Sequence, residues 1–322
     1  DWCFWIDRGG TFTDIVAWHR PRNLLRTAKV LSEERGSDRN PALRAIDAVL
    51  GDEGLAELES VSVRMGTTVA TNALLTRTGD TTVLVMTEGL GDLPIIGDQA
   101  RPQLFKLDIR RSRPLWSSII EARERISASG EIIVPLDESA VSHALRNARM
   151  AGASACAIAL MHGWNHPEHE RRLERLAREE GFDTVVASHH ACPLRGLLAR
   201  SQTTVVDAAL TPPLRRSIEA VAEALPTARI QFMQSNGGLV DATSFVGSRA
   251  ILSGPAGGLV GAVETAGAAG FPEIVTFDMG GTSTDVAWSD GQLIRRWDST
   301  VDGLHLRVPM LEIDTIAAGG GS

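Results

Sequence analysis

The chain has no tyrosine at all, so no tyrosyl base can enter its chemistry. Lysine is nearly missing: Lys29 and Lys106 are the only two among 32 cationic residues, and the rest are arginine. Neither lysine lies in a glycine-rich turn and no G-x-x-x-x-G-K-[ST] occurs, which excludes the P-loop way of holding phosphate. No G-x-G-x-x-G convincingly follows a strand, so a Rossmann dinucleotide site is unsupported. No apolar run approaches the ~20 residues that cross a bilayer, and no membrane partner is expected. Cysteines are few: Cys3, Cys156 and Cys192. An odd number of widely spaced cysteines suggests reduced thiols in a cytoplasmic protein, not a disulfide frame. Cys192, between His189-His190 and a proline, has some features of a reactive thiol but no third orienting group beside it. A net charge of −8 argues against nucleic acid as a partner. The 43% hydrophobic content suffices for a large core.

What is present is said twice. Phe4-Trp5-Ile6-Asp7-Arg8-Gly9-Gly10-Thr11-Phe12-Thr13-Asp14 near the start is matched by Thr276-Phe277-Asp278-Met279-Gly280-Gly281-Thr282-Ser283-Thr284-Asp285 downstream. Each copy reads as a strand, a D-x-G-G-T-x-T-D turn, and a second strand. Glycines let the backbone turn sharply and let an anion approach the amides. Threonine hydroxyls add donors. The expected phosphate cradle is therefore Gly9, Gly10, Thr11 and Thr13 with Gly280, Gly281, Thr282 and Thr284. Asp7 and Asp278, at the mouths of the loops, are the expected catalytic and metal residues. ATP carries about four negative charges that a cation must bridge, and carboxylate oxygens suit hydrated Mg²⁺. A turn-capping role for these aspartates is the alternative. Asp14 and Asp285 are expected to brace the hairpins. ATP and Mg²⁺ are the expected cofactors, clamped from two sides.

Between the copies, periodicity predicts a helix over 37–50, a strand over 61–65 and a helix over 69–75. The strand–Gly66-Thr67-Thr68–helix unit would aim amides at an anion. A buried strand is expected over 82–86, and an ordered functional loop over 87–114. A helix to about 151, a strand over 155–161 and a helix from the Asn165–Glu168 start to Glu180 follow. After a short strand at 185–187 comes an apolar stretch, Gln202–Leu210. Pro212-Pro213 is expected to open a helix to about 225. A strand over 230–233 precedes a small-residue helix over 254–269. His162, His166 and His169 do not form a convincing metal set, nor does His189-His190. Arg101 is a candidate partner for a substrate carboxylate, since a guanidinium pairs with it bidentately; an ordinary surface arginine is the alternative. Asn236 ends a strand before Gly-Gly, a ligand-facing place in α/β folds.

The doubled motif resembles the actin–Hsp70–sugar kinase superfamily of ATPases. The words Arg64-Met65-Gly66-Thr67-Thr68-Val69-Ala70-Thr71-Asn72, Met233-Gln234-Ser235-Asn236-Gly237-Gly238, Ser253-Gly254-Pro255-Ala256-Gly257-Gly258 and Ala317-Ala318-Gly319-Gly320-Gly321-Ser322 narrow this. Together they are similar to the hydantoinase A/5-oxoprolinase family, along the whole chain. Arg8, the 100–105 stretch and Thr315-Ile316-Ala317-Ala318 look more like 5-oxoprolinases. The resemblance implies an α/β, actin-like ATPase fold (ribonuclease H-like) with two related lobes, 1–187 and an incomplete 188–322. It implies Gly254 and Gly257 packing under a nucleotide. Thr67, Thr68 and Asn72 would lie near phosphate or substrate, with helix capping as the equal alternative. The implied reaction is ATP-dependent hydrolysis of a cyclic amide, 5-oxoproline to glutamate. A hydantoinase, the ATP-using subunit of a ketone carboxylase and a non-enzymatic ATP switch are the alternatives. The implied partners are a small cyclic amide and a B-type subunit or fused B-type domain, in an oligomer. The chain opens without Met and stops within a glycine turn, so it is expected to be a piece of a longer protein.

Overall fold

The computed structural model describes residues 2–33, 39–51, 60–99, 105–108, 113–280, 284–316 and 318–320. In chain order, the elements begin with β1 (Trp2–Arg8), β2 (Phe12–His19), β3 (Leu24–Leu31), α1 (Pro41–Leu50), β4 (Val61–Thr67), α2 (Val69–Thr76) and β5 (Thr82–Thr87). Then come α3 (Leu93–Ile96), β6 (Trp116–Ala122), β7 (Arg125–Ile126), β8 (Ile132–Val134), α4 (Glu138–Met150), β9 (Ala155–Ala159), α5 (Glu168–Glu179) and β10 (Thr184–Ala187). They are followed by α6 (Ser188–Ala191), α7 (Leu197–Ala224), β11 (Arg229–Met233), β12 (Leu239–Asp241), α8 (Ser253–Ala268), β13 (Ile274–Met279) and β14 (Thr284–Ser289). The short strands β15 (Arg295–Arg296), β16 (Ser299–Val301), β17 (Leu304–Leu306), β18 (Met310–Leu311) and β19 (Asp314–Ile316) complete it. The residues form two compact units that interleave in sequence: Asp1–Asn72, Pro213–Arg296 and Pro309–Ser322 in the first; Ala73–Pro212 and Trp297–Val308 in the second. This spatial division is not a single cut at 187/188.

In the first unit a six-stranded sheet runs in the order β12-β11-β4-β1-β2-β3. β1, β2 and β3 are antiparallel neighbours, whereas β4 and β11 run parallel to β1. Apolar alternation places Phe4, Ile6, Val63 and Met65 in the core. The second motif forms its own hairpin, β13–β14, extended by β19. Its register repeats the first: Asp7 stands opposite Asp14, and Asp278 opposite Asp285. Helix α8 touches β1, β4 and β11 as well as β13 and β14. Gly254 of α8 comes close to Gly66 of β4, whose missing Cβ would lie 3.5 Å from the Gly254 Cα.

Helix α1 starts later than the periodicity suggests, because Pro41 suits the first helical position and Asn40 accepts the Ala42 N–H at 2.9 Å. Asn40→Ala should therefore lower stability by about 1 kcal/mol, read as a shift in the urea midpoint at unchanged slope. No change would show that the cap is replaced by water.

The second unit carries a four-stranded parallel sheet, β10-β9-β5-β6. Both faces are covered, which explains the unbroken apolar runs of β5 and β9. Val83, Val85, Cys156 and Ile158 pack with Val141, Leu145, Leu173 and Ala177 of α4 and α5. Leu84, Met86, Ala155 and Ala157 pack with Val205 and Ala208 of α7. Strands β6 to β8 follow the 87–114 segment. Of that segment, 100–104 and 109–112 lie outside the described residues, and α3 interrupts the rest.

One sequence expectation is corrected here. Pro212-Pro213 does not open a helix; it lies inside the 28-residue α7. Pro213 has no N–H for the Ala209 carbonyl. The Asp80 N–H takes that carbonyl instead, at 2.9 Å. Gly79 is the residue that permits it, since a Cβ there would sit 2.9 Å from the same oxygen. A helix-breaking signal is thus offset by a donor from another part of the chain.

Candidate functional site

Asp7 stands one residue before the end of β1, in parallel register with Gly66. A Cβ on Gly66 would lie 3.2 Å from Asp7 Oδ1, and one on Gly254 would lie 3.3 Å from it. The carboxyl is thus pressed between two bare backbones on one side and open to water on the other. Desolvation by this crowding pushes its pKa above the usual aspartate value. The Asp278 carboxylate pushes the same way, then Asp14, and Lys29 opposes. The two leading aspartates are therefore close enough to repel each other. Asp14 and Asp285 have partners of their own: Lys29 Nζ sits 2.7 Å from Asp14, and Thr315 Oγ1 donates to Asp285 at 2.6 Å.

The first loop closes through Gly9 N–H to the Phe12 carbonyl at 2.9 Å. A Cβ at Gly9 would fall 2.9 Å from that oxygen, so only glycine fits. Gly10 and Thr11 are exposed at the tip, as is Gly280 of the second loop. Thr13 and Thr284 are not. Thr13 is fully buried against the Ser32 hydroxyl at 3.0 Å, and Ser32 in turn donates to the Gly9 carbonyl at 2.7 Å. Thr284 donates to the Ala318 carbonyl at 2.5 Å. Both threonines face inward because the strand alternation turns them there, and both brace their loops from beneath. Gly320 N–H adds a bond to the Gly280 carbonyl at 2.9 Å. Gly281, Thr282 and Arg101 lie outside the described residues.

The Gly66-Thr67-Thr68 word is tied to the first loop. The Thr68 N–H and hydroxyl both donate to the Arg8 carbonyl, at 3.0 and 3.1 Å. Asn72 lies over the loop, with its Nδ2 3.5 Å from where a Gly10 Cβ would stand. Thr67 is buried; its hydroxyl accepts the Val69 N–H at 3.2 Å, the capping alternative. Asn236 accepts the Gly238 N–H at 2.8 Å and shapes its own turn. Gly257 has Met233 3.8 Å from its missing Cβ, which is ordinary packing. Ser253, absent from the sequence-derived site set, is fully buried. It accepts the Thr67 N–H at 3.1 Å and donates to the Met233 carbonyl at 2.7 Å. It joins three of the family-like words, and its place inside one of them was the signal.

The oxygen donors at Asp7 and Asp278 fit a hard divalent cation such as Mg²⁺, which would offset their mutual repulsion. The exposed Gly10, Thr11 and Gly280 fit a phosphate-bearing ligand. Cys192 is no reactive thiol: it is buried, and burial pushes its thiol pKa up despite opposition from Arg200. His169 is buried against Glu124, with Nδ1 2.7 Å from Oε2, apart from His166, which contacts Asn165 and the Ala128 carbonyl. No helix among the described residues is long and apolar enough to cross a membrane.

The family model described as the hydantoinase/oxoprolinase N-terminal region matches residues 3–181, and the hydantoinase/oxoprolinase model matches 200–322. A similar curated relative is 5-oxoprolinase 1 of Arabidopsis thaliana, 36% identical over 99% of this chain and 28% of that protein. Among solved structures, a nucleotide-free acetone carboxylase aligns with TM-score 0.85 at 26% identity, over 98% of this chain and 48% of its own. The ATP-dependent caprolactamase of Pseudomonas jessenii aligns with TM-score 0.80 at 30% identity, over 99% and 48%. This chain thus spans little more than a quarter of that curated relative. These likenesses, with the sheet order above, give the α/β fold of actin-like type that the motifs imply.

Proposed function

This chain belongs to the hydantoinase/oxoprolinase family, and we propose that it supplies the ATP-using part of an enzyme that opens a cyclic amide, with 5-oxoproline as substrate and glutamate as product. The observation that carries this reading is the pairing of two hairpins in one register, whose leading aspartates repel each other. An acid pair at the mouths of two glycine turns suits a cation-bridged polyphosphate.

A lactam resists water because resonance makes its carbonyl a poor electrophile. Transfer of the γ-phosphoryl group of ATP to the carbonyl oxygen activates that carbon. Water then adds, the ring C–N bond breaks, and a second water releases phosphate. In this scheme Asp7 and Asp278 would hold Mg²⁺, which would supply the charge neutralisation that phosphoryl transfer needs. Backbone amides of Gly10 and Thr11, with those of Gly280, Gly281 and Thr282, cradle the phosphates, while Gly9 shapes the loop through its N–H to the Phe12 carbonyl. Asn72, held beside the first loop by Thr68, orients the reacting carbonyl, and Arg101 takes the substrate carboxylate. A B-type subunit or domain completes the hydrolysis. Three buried free cysteines suit a reducing, cytoplasmic setting.

A second reading is the ATP-using subunit of a ketone carboxylase, favoured by the likeness to acetone carboxylase. ADP release from the complete enzyme, with 5-oxoproline, hydantoin, N-methylhydantoin, or acetone plus bicarbonate added in turn, separates them. Stimulation by 5-oxoproline is expected. Stimulation by acetone plus bicarbonate alone would replace the proposal with the carboxylase. Turnover indifferent to every addition would leave only an ATP switch.

A further inference from the structure

The second unit holds a cluster that the reading above does not use. Glu174 projects from α5, while His189 and His190 come from α6. Their ligand atoms lie within 4.8 Å of one another. Glu174 Oε2 is 3.8 Å from His189 Nε2 and 3.9 Å from His190 Nε2. The histidine rings sit with centroids 4.0 Å apart.

The His189 ring is fixed from behind. Its Nδ1 lies 2.7 Å from Glu170 Oε2, which also accepts the His189 N–H at 2.9 Å. Glu170 is fully buried and accepts from Ser188, Arg200 and the Leu160 N–H. A carboxylate at that distance makes Nδ1 the protonated nitrogen, leaving the lone pair on Nε2. That Nε2 is buried and has no hydrogen-bond partner. It faces Glu174 Oε2, another acceptor. A ring lone pair and a carboxylate oxygen facing each other across 3.8 Å offer a cation two donors. A carboxylate behind a histidine whose other nitrogen is free is the usual support of a metal-ligating imidazole.

We propose that Glu174, His189 and His190 bind a borderline divalent cation of the zinc type. Metal–ligand bonds of about 2.0–2.1 Å at a tetrahedral angle put donors about 3.3 Å apart, so small side-chain rotations close the observed spacing. The exposed His190 leaves the site an entry path and room for a water as fourth ligand. Arg178 Nη2 approaches the other oxygen of Glu174, Oε1, at 3.8 Å and leaves Oε2 available. The bound ion would tie α5 to α6.

The test uses the untagged full chain, stripped with a chelator and titrated by calorimetry with Zn²⁺, and with Co²⁺ followed by visible absorption. One equivalent of Zn²⁺ should bind, Co²⁺ should give tetrahedral d–d bands, and the thermal midpoint should rise. Glu174→Gln and His190→Ala should each weaken binding at least tenfold. His190 is exposed, so His190→Ala should keep the parental midpoint in chelator, separating ligand loss from misfolding. Failure to bind Zn²⁺ would reduce the cluster to histidine–carboxylate ion pairs and overturn the proposal. Binding that survives both substitutions would overturn it equally. No nucleotide is present in the assay, so neither result depends on the phosphate loops.

Discussion

Asp7→Asn should lower Mg²⁺-dependent ATP hydrolysis by about 10²–10³-fold, the scale of losing one charge-stabilising group, while making the fold more stable at neutral pH. Asn keeps the shape between Gly66 and Gly254 but removes the charge. The stability half follows from the raised pKa of Asp7. A carboxyl that holds its proton more tightly when folded loses stability as pH rises from its unfolded pKa through its folded one. Above the ordinary aspartate range the parent carries that cost, and the variant does not. The variant's thermal midpoint should therefore exceed the parent's at pH 7 without Mg²⁺. The gap should vanish below the ordinary aspartate range and narrow when Mg²⁺ is added to the parent. Asp278→Asn should also reduce hydrolysis, and should bring the Asp7 titration down by removing a neighbouring charge. Hydrolysis at the parental rate in both variants would sink the phosphate-loop reading; a less stable Asp7→Asn would sink the electrostatic account.

Glu170→Ala should destabilise the chain by about 3–5 kcal/mol, the cost of leaving a buried ion without its partner. Arg200 is 1% exposed. Its Nη1 donates to Ser188 at 2.7 Å and to Glu170 at 3.3 Å, and its Nη2 to the Leu160 carbonyl at 2.6 Å. Gly163 leaves the room, since a Cβ there would meet both side chains. Arg200→Met should cost less than Glu170→Ala, because the carboxylate left behind still accepts from Ser188 and from the Leu160 and His189 N–H groups. A double-mutant cycle by chemical denaturation should give a coupling of at least about 1 kcal/mol. The Glu170 pKa is lowered, so its contribution is present above the ordinary glutamate range and fades as pH falls through the depressed value. The penalty of Glu170→Ala should shrink in acid accordingly. Additive substitutions would show that the two groups do not act as a pair.

The hairpins and their aspartates were legible because a strand–turn–strand unit is local: alternation, two glycines and a threonine specify it within a dozen residues. The strands and helices of the parallel sheet were largely legible from length and apolar runs. The course of α7 was not, because proline's local signal is answered by the Asp80 N–H from elsewhere in the chain. The inward roles of Thr13 and Thr284 were not legible either. They depend on which face each strand turns to Ser32 and to Ala318, and the motif does not state that.

By itself, the sequence determined the family, the α/β class, the doubled glycine turn and the identity of its leading acids. Those are properties of short words whose physics is local. Tertiary structure alone decided that Asp7 feels Asp278, that Gly66 and Gly254 flank one carboxyl, and that Thr67 caps a helix instead of facing solvent. It also decided that Glu174 meets His189 and His190. The physical reason is the same in each case. A pKa, a close approach or a ligand cluster depends on distances between groups far apart in the chain, and only the paired strands and the helices packed on them set those distances.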